Sequence, residues 1–560
     1  MSVLTDLSAD KKTRAGNLST DYRGCAQRRP VGVASAGLAI AMMSGCSWTG
    51  LATLNSSGEQ ANNDSFLPAA SEDARYIAFQ SAASNLVATD SNGVQDVFVR
   101  DINAGTTSRV SISSAGLQGN GGSYEAAISH DGRYVAFASD ATNLVSADNN
   151  NVRDVFLHDR DTGSTRRLSA FGLITPVEGN GASENVDITC FAGCVAVFES
   201  GASNLVTGDA NGVQDIFRWS AGSIERLSVD SSGDDADGSS ANASLSAGGG
   251  LMAFDSTATN LLTFGTDTNG FRDVYVRNTA LDENSIISTN WIGGYANNNS
   301  QNPAISADGR FVAFESQASD LVFGDSNTAT AIYVRDRFNF FTEKVSVNDA
   351  GETANAASLE PFISGDGRYV AFWSDADNLV AGDSNNARDI FVRDRQKNTT
   401  SRVSVDQLGA QSNGLSTHPV LSIDGRYVSF SSAADNLVPD DDNDINIGPG
   451  FFRSAFDIVV RAVGSISVDS IVPNVLPVGT TTSVTLSGQN FFPTAIADIE
   501  GDSETVSNLV IVDENTLTMQ VTVPPDATTG ARNVTVFVPG TGAGVAKGNL
   551  GICPGCVIYQ

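Results

Sequence analysis

The stretch "PFISGDGRYVAFWS", residues 361–374, is followed by "DIFVRD" at 389–394 and "SRVSV" at 401–405. Short runs rich in β-branched and aromatic residues, separated by turn residues, predict four strands, a to d, in one unit. The pair Asp366–Gly367 predicts a hairpin turn between a and b, because glycine adopts a positive φ without a Cβ clash. Strand b is apolar at consecutive positions, which indicates a strand covered on both faces.

The unit recurs along the chain. Alignment on the last Phe of "RYVAF" gives spacings of 58, 61, 56, 60, 58 and 58 residues between Phe79, Phe137, Phe198, Phe254, Phe314, Phe372 and Phe430. The Asp-Gly turn also recurs, at 131–132, 308–309 and 424–425. A period of this length predicts seven units that stack on one another and bury a continuous core.

The first and last units are expected to share a sheet. The segment "LATLNSSGEQAN", 51–62, matches "KVSVNDAGETAN", 344–355, so a d strand precedes the first complete unit. The seventh unit supplies only a, b and c before the pattern changes. We therefore predict that Leu51–Asn55 completes the last sheet.

These units resemble TolB-type, WD-like propeller repeats, through "SxDGRYVAF" in the first half and "D-[IV]-[FY]-V-R-D" in the second. The resemblance implies an all-β, seven-bladed β-propeller of four-stranded blades over residues 46–465, closed by the N-terminal strand. It implies no activity, because propellers host enzymes, scaffolds and receptors alike.

A second domain follows at 466–541. Its Pro473, "PVG" at 477–479, "SGQNF" at 487–491 and "VPPDATTG" at 523–530 resemble an IPT/TIG domain, an immunoglobulin-like β-sandwich. In secreted bacterial proteins such domains act as spacers or as protein and glycan binders. Residues 542–560, with "CPGC", are expected to form a C-terminal tail.

The N-terminal 45 residues carry an export signal. "VGVASAGLAIAMM", 31–43, follows Arg28 and Arg29 and is too short to span a bilayer but suits a signal-peptide core. "MSGCSW", 43–48, resembles a bacterial lipoprotein box, which implies lipidation of Cys46; ordinary cleavage and an uncleaved anchor are the alternatives. Ser47 after the Cys resembles the signal for outer-membrane sorting.

The formal charge of −31, from 33 Lys and Arg against 64 Asp and Glu, argues against nucleic acid or an anionic lipid surface as a partner. We expect membrane attachment only through the lipid anchor. The chain is expected to be a monomer.

An acidic motif, D-x-N-x-x-x-D, lies between strands b and c. It is intact in five units, at Asp90/Asn92/Asp96, Asp148/Asn150/Asp154, Asp209/Asn211/Asp215, Asp267/Asn269/Asp273 and Asp383/Asn385/Asp389. Unit five keeps Asp325 and Asn327 but has Ala331. Unit seven has an acidic run instead, with Asp440, Asp441, Asp442 and Asp444.

Two interpretations of the motif remain open. Asp and Asn oxygens in a Gly-rich turn resemble the first half of an EF-type loop, which predicts weak Ca²⁺ binding, although the distal bidentate Glu is missing. Alternatively, these side chains cap the turn through hydrogen bonds to the backbone. The run 440–444 is the best single metal candidate. All seven loops should lie on one rim, whose negative charge makes it the preferred face for a protein or glycan partner.

No catalytic motif is recognisable: the three His residues, His130, His158 and His418, fall at different positions of the unit, and neither G-x-S-x-G nor H-E-x-x-H occurs. The sequence therefore favours a non-catalytic envelope lipoprotein. The alternative is a polysaccharide- or peptide-degrading lyase or hydrolase with its site in the propeller channel, which convergent His or Ser side chains there would favour.

Four cysteines outside the signal and lipobox form two close pairs, Cys190/Cys194 and Cys553/Cys556. In an oxidising compartment each pair is expected to form a disulfide. A redox or metal role for "CPGC" is the alternative.

Overall fold

The computed structural model describes residues 49–560 apart from 147, 173–176, 192, 263–264, 326–328, 407–408, 439–440, 442, 444, 449–450, 464–466, 490, 492–495, 500–504, 514 and 538–549. The described residues form strands, turns and bends and no helix. Residues 1–45, which the sequence predicts to be a signal segment, and Cys46 lie outside them.

The first strand, β1 (Thr49–Leu51), is followed by two four-stranded antiparallel sheets. Sheet 1 contains β2 (Ser65–Ala70), β3 (Tyr76–Ser81), β4 (Asp96–Asp101) and β5 (Thr106–Arg109). Sheet 2 contains β6 (Ser123–Ile128), β7 (Tyr134–Ser139), β8 (Asp154–Asp159) and β9 (Ser164–Arg167).

A two-stranded hairpin of β10 (Ala170–Phe171) and β11 (Val177–Glu178) leads into the next two sheets. Sheet 3 contains β12 (Ser183–Thr189), β13 (Val195–Ser200), β14 (Asp215–Ser220) and β15 (Ser223–Arg226). Sheet 4 contains β16 (Ser240–Leu245), β17 (Leu251–Ser256), β18 (Asp273–Asn278) and β19 (Glu283–Ile286).

Sheets 5 and 6 repeat the pattern. Sheet 5 contains β20 (Ser300–Ile305), β21 (Phe311–Ser316), β22 (Ala331–Asp336) and β23 (Phe341–Lys344). Sheet 6 contains β24 (Ser358–Ile363), β25 (Tyr369–Ser374), β26 (Asp389–Asp394) and β27 (Thr399–Arg402).

Sheet 7 joins the two ends of the repeat region. It contains β28 (Ser416–Leu421) and β29 (Tyr427–Ser432), then, after the hairpin β30 (Ile445–Gly448) and β31 (Phe451–Arg453), the strand β32 (Asp457–Ala462). Its fourth strand is β1, where Leu51 lies opposite Val459. The predicted pairing of Leu51 is found, but the strand extends back to Thr49 instead of forward to Asn55.

The a strands, β2, β6, β12, β16, β20, β24 and β28, contact one another in sequence order, and β28 contacts β2, so the seven sheets form a closed cycle. This is a β-propeller arrangement of repeats. In sheets 1 to 6 the aromatic residue of strand b stacks on one of strand c; the Phe372 and Phe391 ring centroids are 6.0 Å apart, and both residues are fully buried.

Two strand boundaries differ from the prediction. In sheet 6 strand a begins at Ser358, opposite Ser374, and contains a bulge before Phe362, whereas the prediction began at Pro361. Strand d is Thr399–Arg402 and not 401–405, because the hairpin register places Thr399 opposite Asp394. The predicted glycine turn is found, with φ +72° at Gly367.

Two further four-stranded sheets follow, in the orders β33-β35-β38-β37 and β34-β40-β39-β36. Their strands are β33 (Ser467–Val472), β34 (Val475–Leu476), β35 (Thr481–Gln489), β36 (Ile496–Ile499), β37 (Thr505–Asp513), β38 (Thr516–Thr522), β39 (Gly530–Phe537) and β40 (Leu550–Tyr559). Both sheets contribute to one buried apolar cluster.

The domain boundary predicted at residue 541 is corrected. Leu550–Tyr559 is the longest strand of its sheet and pairs with β39 and, in parallel, with β34. Val557 and Tyr559 are buried in the core. Leu550–Tyr559, predicted as part of a tail, therefore completes the second domain.

Candidate functional site

The Asp/Asn motifs lie at one end of the sheets, which we call the loop end. In sheet 6 it comprises the b-to-c loop, 375–388, and the segment from d to the next a, 403–415. The opposite end, which we call the turn end, comprises the a-to-b and c-to-d turns, 364–368 and 395–398. Strand d runs towards the loop end, so its last residue meets the motif.

In sheet 6 that residue is Arg402, whose Nη1 is 2.8 Å from Asp383 Oδ1 and 3.5 Å from Asp389 Oδ2. Asn385 Nδ2 donates to Asp389 Oδ2 at 2.9 Å and to the Ser412 carbonyl at 2.9 Å. The other Asp389 oxygen accepts from the hydroxyl of Ser404. The motif thus ties the start of strand c to the end of strand d and to the segment beyond it.

The same contacts recur in sheets 1, 2 and 3. There the cation is an Arg within 3.0–3.6 Å of both motif Asp residues, Asp90/Asp96, Asp148/Asp154 and Asp209/Asp215. The hydroxyl is a Ser two residues beyond the Arg; the pairs are Arg109/Ser111, Arg167/Ser169 and Arg226/Ser228. In sheet 5 the Lys344 ammonium lies 2.5 Å from Asp325 Oδ1.

In sheets 1, 2 and 3 the side chains of the motif asparagines form hydrogen bonds within the turn, whereas the calcium interpretation made them metal ligands. Asn92, Asn150 and Asn211 each donate from Nδ2 to Oδ2 of the last motif Asp, at 3.2, 2.8 and 2.9 Å. Their Oδ1 atoms accept the backbone N–H two residues further on, at 3.1–3.2 Å. The oxygen predicted as a calcium ligand therefore caps the turn, because a side-chain amide beside an acid points its N–H₂ towards the carboxylate.

Sheet 4 has the acids without the cation. Ile286 ends its d strand, and Asn269 Nδ2 donates to Asp273 Oδ2 at 2.6 Å. The Tyr275 hydroxyl donates to Asp267 at 2.8 Å. Burial, and secondarily the neighbouring Asp267, raise the pKa of Asp273 to about 7.

In sheet 7 other residues take the places of the motif Asn and of the Ser that follows strand d. Asp457 accepts from the Thr53 hydroxyl at 2.5 Å and from Asn443 Nδ2 at 2.9 Å. Burial raises the pKa of Asp457 to about 6. Asp440, Asp442 and Asp444, the metal candidates of this unit, and Asn327 of sheet 5 lie outside the described residues.

These contacts favour the turn interpretation of the motif over calcium. In the four Arg-containing motifs both Asp carboxylates lie within 2.8–3.6 Å of the Arg guanidinium, and the last Asp also accepts from Ser and Asn, so a cation would have to displace a guanidinium. No group of three or more His, Cys, Asp or Glu in the described part of the chain is arranged to hold a metal. Calcium binding stays a prediction.

The last Asp of each intact motif was expected to contribute negative charge to the rim, and its burial shows that it does not. The motif residues Asp96, Asp154, Asp215, Asp273 and Asp389 have no exposed surface. A partner at the loop end would therefore meet other residues. The motif still brings its predicted members together in all five intact units.

A central cavity of about 710 Å³ runs between the a strands. The third residue of every a strand adopts a positive φ between 49° and 55° and lines it; these are Leu67, Glu125, Asn185, Asn242, Asn302, Glu360 and His418. The bulge that follows each of them leaves its backbone N–H without a ladder partner. In several sheets, a side chain of the preceding sheet accepts the hydrogen bond from this N–H.

Acidic side chains supply most of these acceptors. Asn242 N donates to Glu199 Oε1 at 2.7 Å, and Glu360 N donates to Glu315 Oε2 at 2.9 Å. Asn185 N donates to Glu125 Oε2 at 2.7 Å, and Asn302 N donates to Asp255 at 2.9 Å. The ring of carboxylates thus holds neighbouring sheets together around the cavity.

Sequence reasoning missed this ring. A signal existed in the aligned units, because the residue after the repeat Phe is Glu199, Asp255 and Glu315 in units 3 to 5. An acid flanked by buried apolar residues in a strand covered on both faces needs a fixed donor. Only the bulge, which the sequence pattern does not show, identifies that donor.

Glu199 should make the stability depend on pH. Burial raises its pKa to about 7, above the usual value near 4.5, so the folded state binds its proton more tightly than the unfolded state. We expect its contribution to be complete below about pH 4.5 and lost as pH rises to about 7. Glu199→Gln, which mimics the protonated acid, should stabilise the protein by roughly 1 kcal/mol at pH 8 and not at pH 4.5 in urea titrations. An equal effect at both pH values would contradict this.

Two of the three His residues line the cavity. His418 Nε2 is 3.9 Å from Glu360 Oε1, and the His130 ring stacks on Phe191 with centroids 4.0 Å apart. His158 lies in strand c, where Nδ1 is 2.9 Å from the Thr165 hydroxyl, and burial lowers its pKa.

The described cysteines form two pairs. Disulfides join Cys190 to Cys194, across the a-to-b turn of sheet 3, and Cys553 to Cys556, within β40.

Exposed aromatic residues cluster at the loop end between sheets 4 and 5. Trp291, in the segment between β19 and β20, and Phe323, in the b-to-c loop of sheet 5, are 56% and 77% exposed. Their ring centroids are 5.0 Å apart in an edge-to-face arrangement. Trp291 N donates to the Asp320 carbonyl at 3.0 Å, which fixes the pair on the loop.

Comparisons with known proteins give structural similarity alone. No family model and no curated protein matches the chain. A TolB structure from Agrobacterium tumefaciens is 12% identical, covering 64% of this chain and 88% of that one, with a TM-score of 0.29. The WD40 repeats of RRP9 are 9% identical, covering 75% and 98%, with a TM-score of 0.33.

A GH74 xyloglucanase from Xanthomonas campestris is 12% identical, covering 75% of this chain and 56% of that one, with a TM-score of 0.34. The similar structures thus include enzymes and other proteins. No described segment forms a helix that could cross a bilayer. At these TM-scores the similarities bear on no activity, and the propeller fold of the repeat region rests on its strand pairings.

Proposed function

We propose that the chain is a non-catalytic, exported envelope lipoprotein, attached to the outer membrane through Cys46 and monomeric. Its seven sheets are the blades of one closed propeller, and the two C-terminal sheets are an immunoglobulin-like IPT/TIG module. The propeller binds a protein or glycan partner at the loop end. The motif aspartates have a structural role, in which they connect the b-to-c turn and strand c to the end of strand d.

The Trp291–Phe323 pair carries the proposal of partner binding. Large aromatic side chains are enriched at the centres of interfaces because each buries much apolar area with little loss of entropy. The other described loops carry smaller residues at these positions, such as Ser114 and Thr207. Repeat packing therefore does not require the pair, and its exposure leaves it available for a partner.

In-cell photo-crosslinking tests this proposal. We expect a photoreactive phenylalanine in place of Phe323 to give a discrete adduct, with an envelope protein or with the cell-wall glycan fraction. The same residue in place of Phe191, which is also exposed but lies at an a-to-b turn, is the control. Adducts at both positions, or at Phe191 alone, would contradict a partner site at the loop end.

The alternative is a lyase or hydrolase with its site in the cavity. Two observations favour it. Glu360 and His418 lie side by side in the cavity, and burial raises the pKa of Glu199 to about 7, a value that suits a general acid. Against it, the Glu199 carboxylate accepts Asn242 N and both the Asn185 and Gln214 amides. An acid occupied in this way holds two sheets together and is poorly placed to meet a substrate.

A further inference from the structure

One residue from each sheet forms a collar around the central cavity. We give this name to the seven residues of positive φ in the a strands, Leu67, Glu125, Asn185, Asn242, Asn302, Glu360 and His418. Their side chains are bonded differently in sheets 2 to 5 and in sheets 6 and 7. The difference separates the structural part of the collar from a part that is free to bind a ligand.

The collar side chains of sheets 2 to 5 are bonded within the protein. In sheets 3, 4 and 5 an Asn donates from Nδ2 to the acid that follows the repeat Phe of its own sheet; the pairs are Asn185/Glu199, Asn242/Asp255 and Asn302/Glu315. In sheet 2 Glu125 accepts the backbone N–H of Asn185 at 2.7 Å. These side chains hold strands and sheets together.

Glu360 and His418, in sheets 6 and 7, lack such partners. The residue after the repeat Phe is Trp373 in sheet 6 and Ser431 in sheet 7, so neither sheet has the acid. No described residue donates a hydrogen bond to the Glu360 carboxylate, and its Oε2 is shielded from solvent. Its Oε1 is 3.9 Å from His418 Nε2, which is too far for a hydrogen bond.

The free carboxylate is accessible only from the cavity. The Glu360 side chain is 38% exposed and lines the cavity, and a ligand there would reach it through Oε1. Partly buried anionic groups are normally hydrogen-bonded or paired, because removing a charge from water is costly. A carboxylate without a donor, beside an imidazole in a cavity of about 710 Å³, therefore indicates a bound molecule that supplies the donor.

The charge of the cavity lining favours a cation. The described lining contains five acids and neither Lys nor Arg; the acids are Glu125, Glu184, Asp187, Glu199 and Glu360. Glu184 is paired with Arg153 at 3.1 Å, and the next three accept backbone N–H groups. Glu360 is the acid of this set with neither kind of partner. An anionic ligand would be repelled here, and a cation would be attracted.

The wall beside Glu360 and His418 is apolar. The residues that follow them and line the cavity are Pro361 and Phe362 in sheet 6 and Pro419 and Val420 in sheet 7. An apolar wall with a few polar groups at one level is typical of sites for small molecules. The site therefore suits a ligand that has one charged end and an apolar body.

The cavity narrows towards the turn end. There, direct backbone hydrogen bonds join neighbouring sheets, from Ala307 N to Gly365 O at 3.0 Å and from Gly365 N to Ile423 O at 2.8 Å, which keeps these strands at ordinary β spacing. At the collar, side chains bridge the sheets, so the strands lie further apart. A ligand would enter from the loop end.

We propose that the collar at sheets 6 and 7 binds a small organic cation, a primary ammonium group on an apolar body. The ammonium group donates to Glu360 Oε1 beside the His418 imidazole, and the body lies against Pro361 and Pro419. This binding involves no chemical step and does not depend on a partner at the loop end.

Fluorine NMR titration of the full chain at pH 8 tests this site. The probes are 4-fluorobenzylammonium and 4-fluorobenzyl alcohol, which have the same apolar body and differ in charge. We expect the ammonium probe to bind roughly tenfold more tightly than the alcohol, as for a hydrogen bond to a charged group. E360Q should remove this preference.

E184Q is the matched control, because Glu184 lines the same cavity but is already paired with Arg153. We expect it to change the affinity for the ammonium probe by less than about twofold. Equal weakening by E184Q and E360Q would overturn the proposal, since the probe would then follow overall negative charge. Equal affinity for the two probes, or no binding of the ammonium probe, would also overturn it. Thermal melts confirm that both variants are folded.

Discussion

Asp389→Asn is expected to lower the free energy of unfolding by roughly 1–2 kcal/mol, because it removes the anionic acceptor of the Ser404 hydroxyl and leaves the buried Arg402 with Asp383 as its single carboxylate partner in the motif. Arg402 is mostly buried, so water does not replace the lost acceptor. The substitution preserves the size of the side chain, which confines the effect to charge and hydrogen bonding. Urea unfolding at pH 7, with unchanged m-value, measures it.

Asp273→Asn is the matched control, because Asp273 occupies the same position in sheet 4 where no cation is present. Its pKa is already raised to about 7, so removing the charge relieves repulsion with Asp267. We expect a change within about 1 kcal/mol of the unsubstituted protein. Equal destabilisation in both variants would show that the motif is held by hydrogen bonds alone and that the Arg is incidental.

Leu51→Asp is expected to cost at least about 4 kcal/mol and to prevent closure of the propeller, because it buries an unpaired carboxylate in the last sheet. Leu51 packs with Val428, Phe430 and Val459. Loss of β1 also removes Thr49, whose hydroxyl accepts from the buried Arg461 at 2.6 Å. The thermal midpoint and the rate of proteolysis at the repeat region report the loss.

Leu117→Asp provides the control for the chemistry of the change. Leu117 is exposed between sheets 1 and 2, so the same carboxylate stays hydrated there and should change stability by less than about 0.5 kcal/mol. If Leu51→Asp behaved like Leu117→Asp, the first strand would be dispensable and the ring would hold without it.

Most of the repeat fold follows from local pattern. Strands b and c were predictable because both faces are covered, which leaves a continuous apolar run such as Tyr369–Trp373. The Asp-Gly turns followed from glycine's access to positive φ. The closing strand followed from the match of Leu51–Asn62 to 344–355, since equivalent segments in a repeat occupy equivalent places.

The remaining features depend on contacts distant in sequence. Strand a begins earlier than predicted because Glu360 adopts a positive φ, a conformation that is unusual for Glu. Glu315 of the preceding sheet stabilises it by accepting the Glu360 N–H. The motif aspartates looked like surface charge because each sequence window is polar. Their burial depends on Arg and Ser residues about 13–15 positions away, at the end of another strand.

Sheet 7 combines strands from the two ends of the repeat region, and this affects how the protein assembles. Thr53 meets Asp457 404 residues later, so β1 stays unpaired until the last strand of the repeat region has been synthesised. At ordinary translation rates this interval is roughly 20–80 s. During it β1 lacks its partner strand, and once β32 emerges its open edge can pair with β1 of the same chain or of a neighbour. Crowded export would therefore favour swapped dimers in which each first strand closes the other chain's ring, and a tethered N-terminus would suppress them by keeping the correct strand close at hand.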